Sequence, residues 1–445
     1  MNLEDHFPEI YRYRAQEAGR GKLISGLAAA FAVCAATGYA VVHTSGSWKD
    51  YLSAITFMQF NLLVFYGAIC AAKSVTQERA ERTWDFQRLT PRSSLELAAG
   101  KFLGAPVFAW FLFACMLPAA LITVILAPVE TSWLFLSRFA LGLSCALLAI
   151  AVGLLASAYD ETGGSGMGHL AGPLVGLAGI GALNASYRYL ESLGRPYAQP
   201  ISFYGYSLSE LQGVLFLAVT FLAFGVWAFL GARYRIGRDL LEKRKLWRLP
   251  AFLVFLAWYV AGFCFPQVST TGGDLLAALL VPSLVVYMAA FLSGERREYW
   301  RRWLVKENAP RLLDQAPAWL KGSASILVIA AALMVCSSGG VWSAGKITGR
   351  YFLIFPLFML RDLFFLQWCR FSASRRPEIM TLAYLALAYA LPGIMLSTAK
   401  MPGLLPFFIP SAQAGMNAFV NLAGPLAQAL IMGWLLFKKI RKIAA

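Results

Sequence analysis

The strongest constraint on this chain is a series of twelve apolar stretches, most of them close to twenty residues long, separated by polar connections. A helix needs about 20 residues to cross the roughly 30 Å hydrocarbon core of a bilayer. It also satisfies its own backbone polar groups, which no water reaches there. A soluble chain of 445 residues would not carry 59% hydrophobic and only 14% charged residues. The predicted spans are 23–42, 53–72, 102–126, 134–158, 168–187, 211–232, 250–266, 275–293, 322–343, 351–369, 379–397 and 416–437.

This pattern predicts an all-α, polytopic integral membrane protein with about twelve transmembrane helices in a 6+6 arrangement. Two halves of six spans, 23–232 and 250–437, flank a basic linker at 233–249. Each half places its longest charged connection between its second and third spans, and repeats of whole bundles are common among transporters. Residues 1–22 precede the first half, either as an interfacial helix or as a disordered leader. A basic tail, 438–445, follows the second half.

The basic residues are distributed unevenly between the two sides of the membrane. With the amino terminus in the cytoplasm, the connections on that side hold 31 of the 39 Lys and Arg residues. This is the positive-inside bias that sets orientation. This distribution of charge predicts cytoplasmic N and C termini. The expected localisation is a cell membrane, of the bacterial inner-membrane type. The same distribution of the +16 net charge predicts attraction to anionic lipid head groups rather than a nucleic-acid partner.

The connection after the second span has a helical pattern of its own. Residues 74–89 contain neither Pro nor Gly, so they predict a helix that Pro91 ends. Trp84 and Phe86 lie on one side of it, and charged residues occupy the rest. Such a helix could lie at the cytoplasmic interface with its aromatic residues in the head-group layer. A solvated connection held by i,i+4 charge pairs fits the same pattern equally well.

This segment resembles a motif in the permease subunits of the type-2 ABC exporter family. The stretch runs from Glu78 to Ser93 and continues to the Lys just before the third span. Arg82 departs from the motif, because the family usually has Gly at that position. The resemblance covers about thirty residues strongly and the first six spans loosely. The residues that fit the motif are Glu81, Thr83, Leu89, Pro91, Ser93, Gly100 and Lys101.

The resemblance implies that this helix couples the permease to a separate ATP-hydrolysing ABC subunit, expected in two copies. ATP and Mg²⁺ would then bind that partner, and this chain would hold no cofactor or metal. Glu78, Glu81, Asp85 and Arg88 are the expected partner-facing residues, and Trp84 and Phe86 the expected membrane-facing ones. The candidate coupling residues are Glu78, Glu81, Arg82, Trp84, Asp85, Arg88 and Pro91. The corresponding connection in the second half gives a second candidate segment with Glu295, Glu298, Trp300 and Arg301.

The sequence supports no catalytic site of its own. Its nearest approach to a phosphate-binding loop is 340–347, where Ile347 replaces the hydroxyl residue that would ligate Mg²⁺. The three histidines are scattered, and no span carries paired acids at helical spacing for acid–base chemistry. We therefore expect a transport permease rather than an enzyme.

Two charged residues interrupt the tenth span. Arg361 and Asp362 lie near its middle, where a charge costs about 2.5–3.5 kcal/mol on insertion scales. They could line a transport pathway, or they could pair with neighbouring helices and only fix the packing. Because adjacent residues on a helix point about 100° apart, we expect them not to pair with each other.

Glycines recur at four-residue spacing near the fifth span, at Gly164, Gly168, Gly172 and Gly176. A helix face without side chains lets a neighbouring backbone approach closely. Close packing is one interpretation of this stripe, and a gating hinge is the other.

The function expected from these features is the membrane-spanning permease of an ATP-driven exporter whose substrate the sequence does not identify. One alternative is a secondary transporter driven by an ion gradient. Another is a membrane-embedded enzyme or an assembly scaffold.

Overall fold

A computed structural model gives the fold, and a helix lies within each of the twelve predicted spans. This confirms an all-α, multi-pass architecture. The only strands among the residues described are the two short antiparallel strands Ser202–Phe203 and Tyr206–Ser207. Those residues are 8–17, 19–44, 46–126, 129–160, 167–192, 201–242, 247–264, 274–292, 317–338, 346–371, 377–410 and 418–444.

The chain divides into two compact units. Unit 1 comprises residues 1–201 and 208–243, and unit 2 comprises 202–207 and 244–445. The helices of unit 1 are α1 (Pro8–Glu17), α2 (Arg20–Thr44), α3 (Trp48–Ala80), α4 (Thr83–Arg88), α5 (Ser94–Gly104), α6 (Val107–Leu126), α7 (Val129–Tyr159), α8 (Met167–Ser192) and α9 (Glu210–Asp239). Those of unit 2 are α10 (Arg248–Cys264), α11 (Asp274–Leu292), α12 (Ala318–Ser338), α13 (Lys346–Arg370), α14 (Pro377–Thr398), a 3₁₀ helix (Pro402–Phe407) and α15 (Ala418–Ala444).

Nine helices in the described ranges are long and apolar enough to cross a membrane. Six of them are in unit 1 and three in unit 2, and α10 and α11 are apolar but shorter. The count of twelve spans and the duplication of the halves stay predictions. The nine candidate spans are Arg20–Thr44, Trp48–Ala80, Val107–Leu126, Ser132–Tyr159, Leu170–Ser192, Glu210–Asp239, Ala318–Cys336, Phe352–Arg370 and Ile379–Thr398.

Helix α3 is the centre of unit 1. It packs against α2, α6, α7 and α8, and its side chains Phe60, Leu63, Val64 and Ala68 are fully buried in the core. Its 33 residues make it about 50 Å long, roughly 20 Å more than the hydrocarbon core. A spanning helix of this length carries side chains beyond the apolar core at one end or at both.

Glycines let the neighbouring helices approach α3 closely. A Cβ on Gly153 of α7 would lie 2.6 Å from the carbonyl oxygen of Ala68, and one on Gly176 of α8 would lie 2.6 Å from Phe65 Cδ2. Gly172 also faces α3, with Ile69 Cα 3.1 Å from its Cβ position. These contacts favour close packing as the role of the glycine stripe; Gly164 lies outside the described residues.

Helix α13 has the corresponding place in unit 2. It packs against α11, α12, α14 and α15. Phe352, Met359, Leu363 and Leu366 are buried at its contacts. The charged pair of the tenth predicted span therefore lies on the most enclosed helix of this unit.

Substitution of Gly153 by Ala is expected to destabilise unit 1, because the added methyl group would overlap a backbone carbonyl of α3 that has no free direction to move. Overpacking of this kind costs about 1–3 kcal/mol. The thermal unfolding midpoint of the detergent-solubilised protein should fall. Gly181→Ala is the control, because no atom lies within 4 Å of its Cβ position. Equal midpoints for the two variants would contradict the packing described here.

Candidate functional site

The predicted coupling segment is two helices separated by a sharp turn. Helix α3 continues through Ala80, the chain turns at Glu81 and Arg82, and the short helix α4 follows. The single helix predicted over residues 74–89 is therefore wrong. Arg82 adopts the left-handed region with φ 60° and ψ 17°, which ends the right-handed helix. Left-handed backbone favours glycine, so the geometry of Arg82 in this chain would suit the Gly that the resemblance leads one to expect there.

Two of the expected exposed residues are buried. Glu78 is 6% exposed and Trp84 is 4% exposed. Trp84 packs in an apolar cluster with Val75 and Leu97, with the Arg79 guanidinium 5.6 Å from its ring centroid. The expectation that Glu78 faces a partner and Trp84 faces lipid is therefore wrong, because the turn at Arg82 folds α4 back over these side chains.

The surface of the coupling segment is formed by both apolar and charged residues. Phe86 is 74% exposed and Leu89 is 83% exposed, so two large apolar side chains stand outside the chain's own packing. The Asp85 side chain is 79% exposed beside them, and Arg88 is 41% exposed. The remaining exposed residues of the predicted set are Glu81, Arg82 and Pro91.

The Glu78 carboxylate is the centre of a buried ion cluster. Its Oε2 lies 2.5 Å from the Lys101 ammonium of α5, which is itself fully buried. Its Oε1 accepts hydrogen bonds from the Arg12 guanidinium of α1 and from the Gln87 amide of α4, the latter at 2.9 Å. One carboxylate therefore joins four helices, because α3 carries it and α1, α4 and α5 each provide a donor.

The surroundings of this cluster set the charge states of its members. Burial lowers the pKa of the Lys101 ammonium, and the adjacent Glu78 carboxylate opposes that shift. Burial and the same carboxylate raise the pKa of the Tyr13 hydroxyl far above its usual range, so Tyr13 is neutral. Burial acts to lower the pKa of Arg12, but the hydrogen bond with Glu78 and the charges of Glu78 and Glu9 together outweigh burial and raise it. Arg12 is therefore always charged, and a buried carboxylate beside it has a permanent counter-ion.

Helix α1 is also held by an ion pair to the connection before α5 and by close packing on α5 itself. Arg92 Nη1 lies 2.6 Å from the Glu9 carboxylate, which is 4% exposed. A Cβ on Gly100 would lie 2.5 Å from Glu9 Cβ, and one on Gly104 would lie 3.0 Å from Tyr13 Cδ2. Residues 8–17 therefore form a helix docked on α5, as the helical alternative for this segment predicted, and its place at the membrane interface stays a prediction.

Polar contacts also tie the segment to the end of α9. Arg79 Nη2 lies 2.7 Å from the Asp239 carboxylate, and Arg88 Nε donates to the Asp239 carbonyl at 3.0 Å. At the start of α5, the backbone N–H of Ser94 donates to the Glu242 carboxylate at 2.7 Å. A carboxylate at a helix N-terminus is stabilised by the helix dipole. The segment is thus held from both sides.

Arg361 and Asp362 form a second buried polar cluster, on α13. They do pair with each other, with Arg361 Nη2 2.7 Å from Asp362 Oδ1, so the expectation that they would not is wrong. The long Arg side chain bends back across the 100° between the two Cβ directions. Asp362 also accepts hydrogen bonds from Tyr389 at 2.6 Å and Tyr287 at 3.0 Å. Arg361 donates to Gln428 at 2.7 Å.

The second candidate coupling segment, with Glu295, Glu298, Trp300 and Arg301, lies outside the described residues. Sequence reasoning missed Arg12 and Gln87 as members of the first site and treated Lys101 only as part of the motif. Helical spacing within 74–89 could not identify Arg12 and Lys101, because both lie outside that segment.

Comparison of the chain with models of known protein families, with curated proteins and with solved structures found no match.

Replacement of Glu78 by Gln should strongly destabilise unit 1, because it leaves Lys101 buried without its counter-ion. Breaking a buried pair in this way costs about 3–5 kcal/mol. The double variant Glu78→Leu with Lys101→Met should recover much of the loss, since both charges are then removed. Thermal unfolding in detergent measures both effects. Glu81→Gln is the control at an exposed site, and a loss there as large as that of Glu78→Gln would refute the role given to burial.

Replacement of Arg82 by Gly should stabilise the protein by about 1 kcal/mol, because a non-glycine residue in left-handed backbone carries a cost of that order. Arg82→Ala is the matched control, since it removes the same side chain and keeps the backbone cost. The unfolding midpoint should therefore rise for Arg82→Gly alone. A rise of the same size in both variants would show that the side chain, and not the backbone geometry, is responsible.

Proposed function

We propose that this chain is the membrane-spanning permease of an ATP-driven exporter of the type-2 ABC kind. ATP and Mg²⁺ would bind a separate ATPase subunit, present in two copies, that docks on α4. The proposal includes twelve spans with both termini in the cytoplasm of a bacterial inner membrane. The observation that carries it is an exposed helix, α4, fixed through a buried carboxylate to the central helix of unit 1.

The exposed side of α4 has the composition of a protein-binding surface. Phe86 and Leu89 are large apolar side chains exposed by more than two thirds, and Asp85 and Arg88 flank them. Protein interfaces place apolar and aromatic anchors at the centre and polar groups at the rim. A partner with an apolar pocket bordered by charges would match this arrangement.

The buried cluster supports transmission of a partner's movement. A force applied to α4 reaches α3 through the Gln87–Glu78 hydrogen bond and reaches α5 through the Glu78–Lys101 pair. Because α3 packs against four other helices of its unit, a displacement of α3 requires those helices to repack. Alternating access needs such a bistable bundle, with two states that bind the partner differently.

One observation favours a second candidate, an ion-gradient-driven carrier. Asp362 is a buried carboxylate on a candidate spanning helix, and carriers relay protons or bind ions through groups of this kind. Its pairing with Arg361 and two tyrosine hydroxyls leaves its charge neutralised within the protein. Transport by the purified chain in vesicles without ATP, driven by an ion gradient, would establish this alternative.

Replacement of Phe86 by Ala should reduce the ATPase activity that copurifies with the chain from its native membrane by about tenfold or more. Loss of a central aromatic anchor has effects of that size on binding. Phe31→Ala is a matched control, since Phe31 is 75% exposed on the spanning helix α2. The measurement is ATP hydrolysis per mole of purified chain. Equal ATPase activity in the two variants would show that α4 is not the docking site and that Phe86 is a membrane-interface residue.

A further inference from the structure

Unit 2 contains a hydrogen-bonded connection between its buried ion pair and residues 402–409, a segment that is not α-helical and includes the 3₁₀ helix. Gln428 of α15 accepts a hydrogen bond from Arg361 with its Oε1. The same amide donates from Nε2 to the backbone carbonyl of Phe407, the last residue of the 3₁₀ helix. One side-chain amide therefore uses its acceptor on the ion pair and its donor on the 3₁₀ segment.

These contacts lie deep within the predicted spans. Arg361, Tyr389 and Gln428 each fall within two residues of the centre of the predicted span that carries them. Three separate helices thus each contribute a residue from near the middle of a predicted span to one cluster. Gln428 is ten residues beyond the start of α15 at Ala418, or about 15 Å along the helix axis.

Residues 402–409 reach towards the same depth in the membrane as this cluster. A Cβ on Gly424 of α15 would lie 2.4 Å from Phe407 Cδ1 and 2.9 Å from Phe407 Cα. Ile409 Cδ1 lies 3.2 Å from the Cβ position of Gly393, about one and a half turns of helix before the end of α14. The chain after α14 therefore enters between α14 and α15 rather than passing over their ends.

Backbone that is not α-helical is stable at membrane depth in only a few environments. It is tolerated only where it is buried in protein or lines a water-filled cavity, because lipid offers no hydrogen bonds. Interrupted segments near the middle of the membrane occur in transporters at binding sites and gates. Here the Phe407 carbonyl accepts a hydrogen bond from the Gln428 amide, and the same amide accepts a hydrogen bond from the charged Arg361 guanidinium.

We propose that residues 402–409 form a re-entrant closure over a polar path through unit 2, held shut by the Gln428 amide. Breaking the bond from Gln428 to Phe407 would free the segment and open the Arg361–Asp362 pair to water and to polar groups of a transported molecule. By the proposed topology, this closure lies on the outer side. The inference rests on the proposed function only for its role in transport, since the closure itself requires neither ATP nor a partner.

The test uses the full chain in lipid nanodiscs and measures backbone hydrogen exchange. In the closed state the Phe408 and Ile409 N–H groups both donate to the Leu405 carbonyl, at 3.0 and 2.9 Å. Gln428→Glu keeps an acceptor for Arg361 but replaces the donor to Phe407 with a carboxylate. Exchange in peptides covering 402–409 should rise about tenfold, the factor expected for loss of one buried hydrogen bond.

Tyr389→Phe is the matched control within the same cluster. It removes one hydroxyl from Asp362 and leaves the contacts of Gln428 in place. Its exchange over 402–409 should stay within about twofold of the unaltered chain, a change too small for the loss of a buried hydrogen bond at this segment. Unchanged exchange in Gln428→Glu, or an equal rise in both variants, would overturn the proposal.

Leakage separates a closure from a merely loosened loop. Liposomes loaded with carboxyfluorescein and containing Gln428→Glu should release dye without ATP, while the unaltered chain and Tyr389→Phe should retain it. Faster exchange without leakage would overturn the assignment of a closure on a path. If leakage occurs but no ATPase associates with the chain, the proposed function fails and this closure stands.

Discussion

The arrangement of unit 1 depends on the burial of one carboxylate. Glu78 lies near the end of α3, and an ion buried there needs partners close at hand. Lys101, Arg12 and Gln87 supply them from three other helices. The positions of α1, α4 and α5 around α3 are therefore coupled, since moving any one of them leaves a buried charge or polar group unsatisfied.

Each unit combines a central helix with a buried ionic group, but the two groups are placed differently. Glu78 lies beside the exposed helix α4, so it connects a surface with the core of its unit. The Arg361–Asp362 pair lies near the middle of α13 and connects that helix with α11, α14 and α15. Through Gln428 it is also connected with residues 402–409. In a low-dielectric interior, groups of this kind hold their partners in a defined geometry. The proposed account gives the first a role in receiving force and the second a role in closing a path.

The sequence predicted the helical architecture well, because a spanning helix must be apolar over a length fixed by the bilayer. It placed helices correctly even where α10 and α11 are short. It failed at the coupling segment, where the local pattern of residues 74–89 is that of one helix and the turn at Arg82 is decided by tertiary packing. Burial of Lys101 could not be predicted either, because it requires α1 to dock on Gly100 and Gly104 and to bring Arg12 to the same carboxylate. The pairing of Arg361 with Asp362 was missed because Cβ directions do not limit where a long side chain ends.

We expect α4 and the end of α3 to move as one body when a partner acts on α4. Pulsed electron resonance on the ATPase-bound complex tests this coupling through the distance between spin labels at the exposed positions Lys73 and Asp85. Rigid coupling gives one narrow distance distribution that is the same with and without trapped ATP. A distribution that shifts or broadens on ATP binding would show that α4 moves independently of α3 and would refute the coupling.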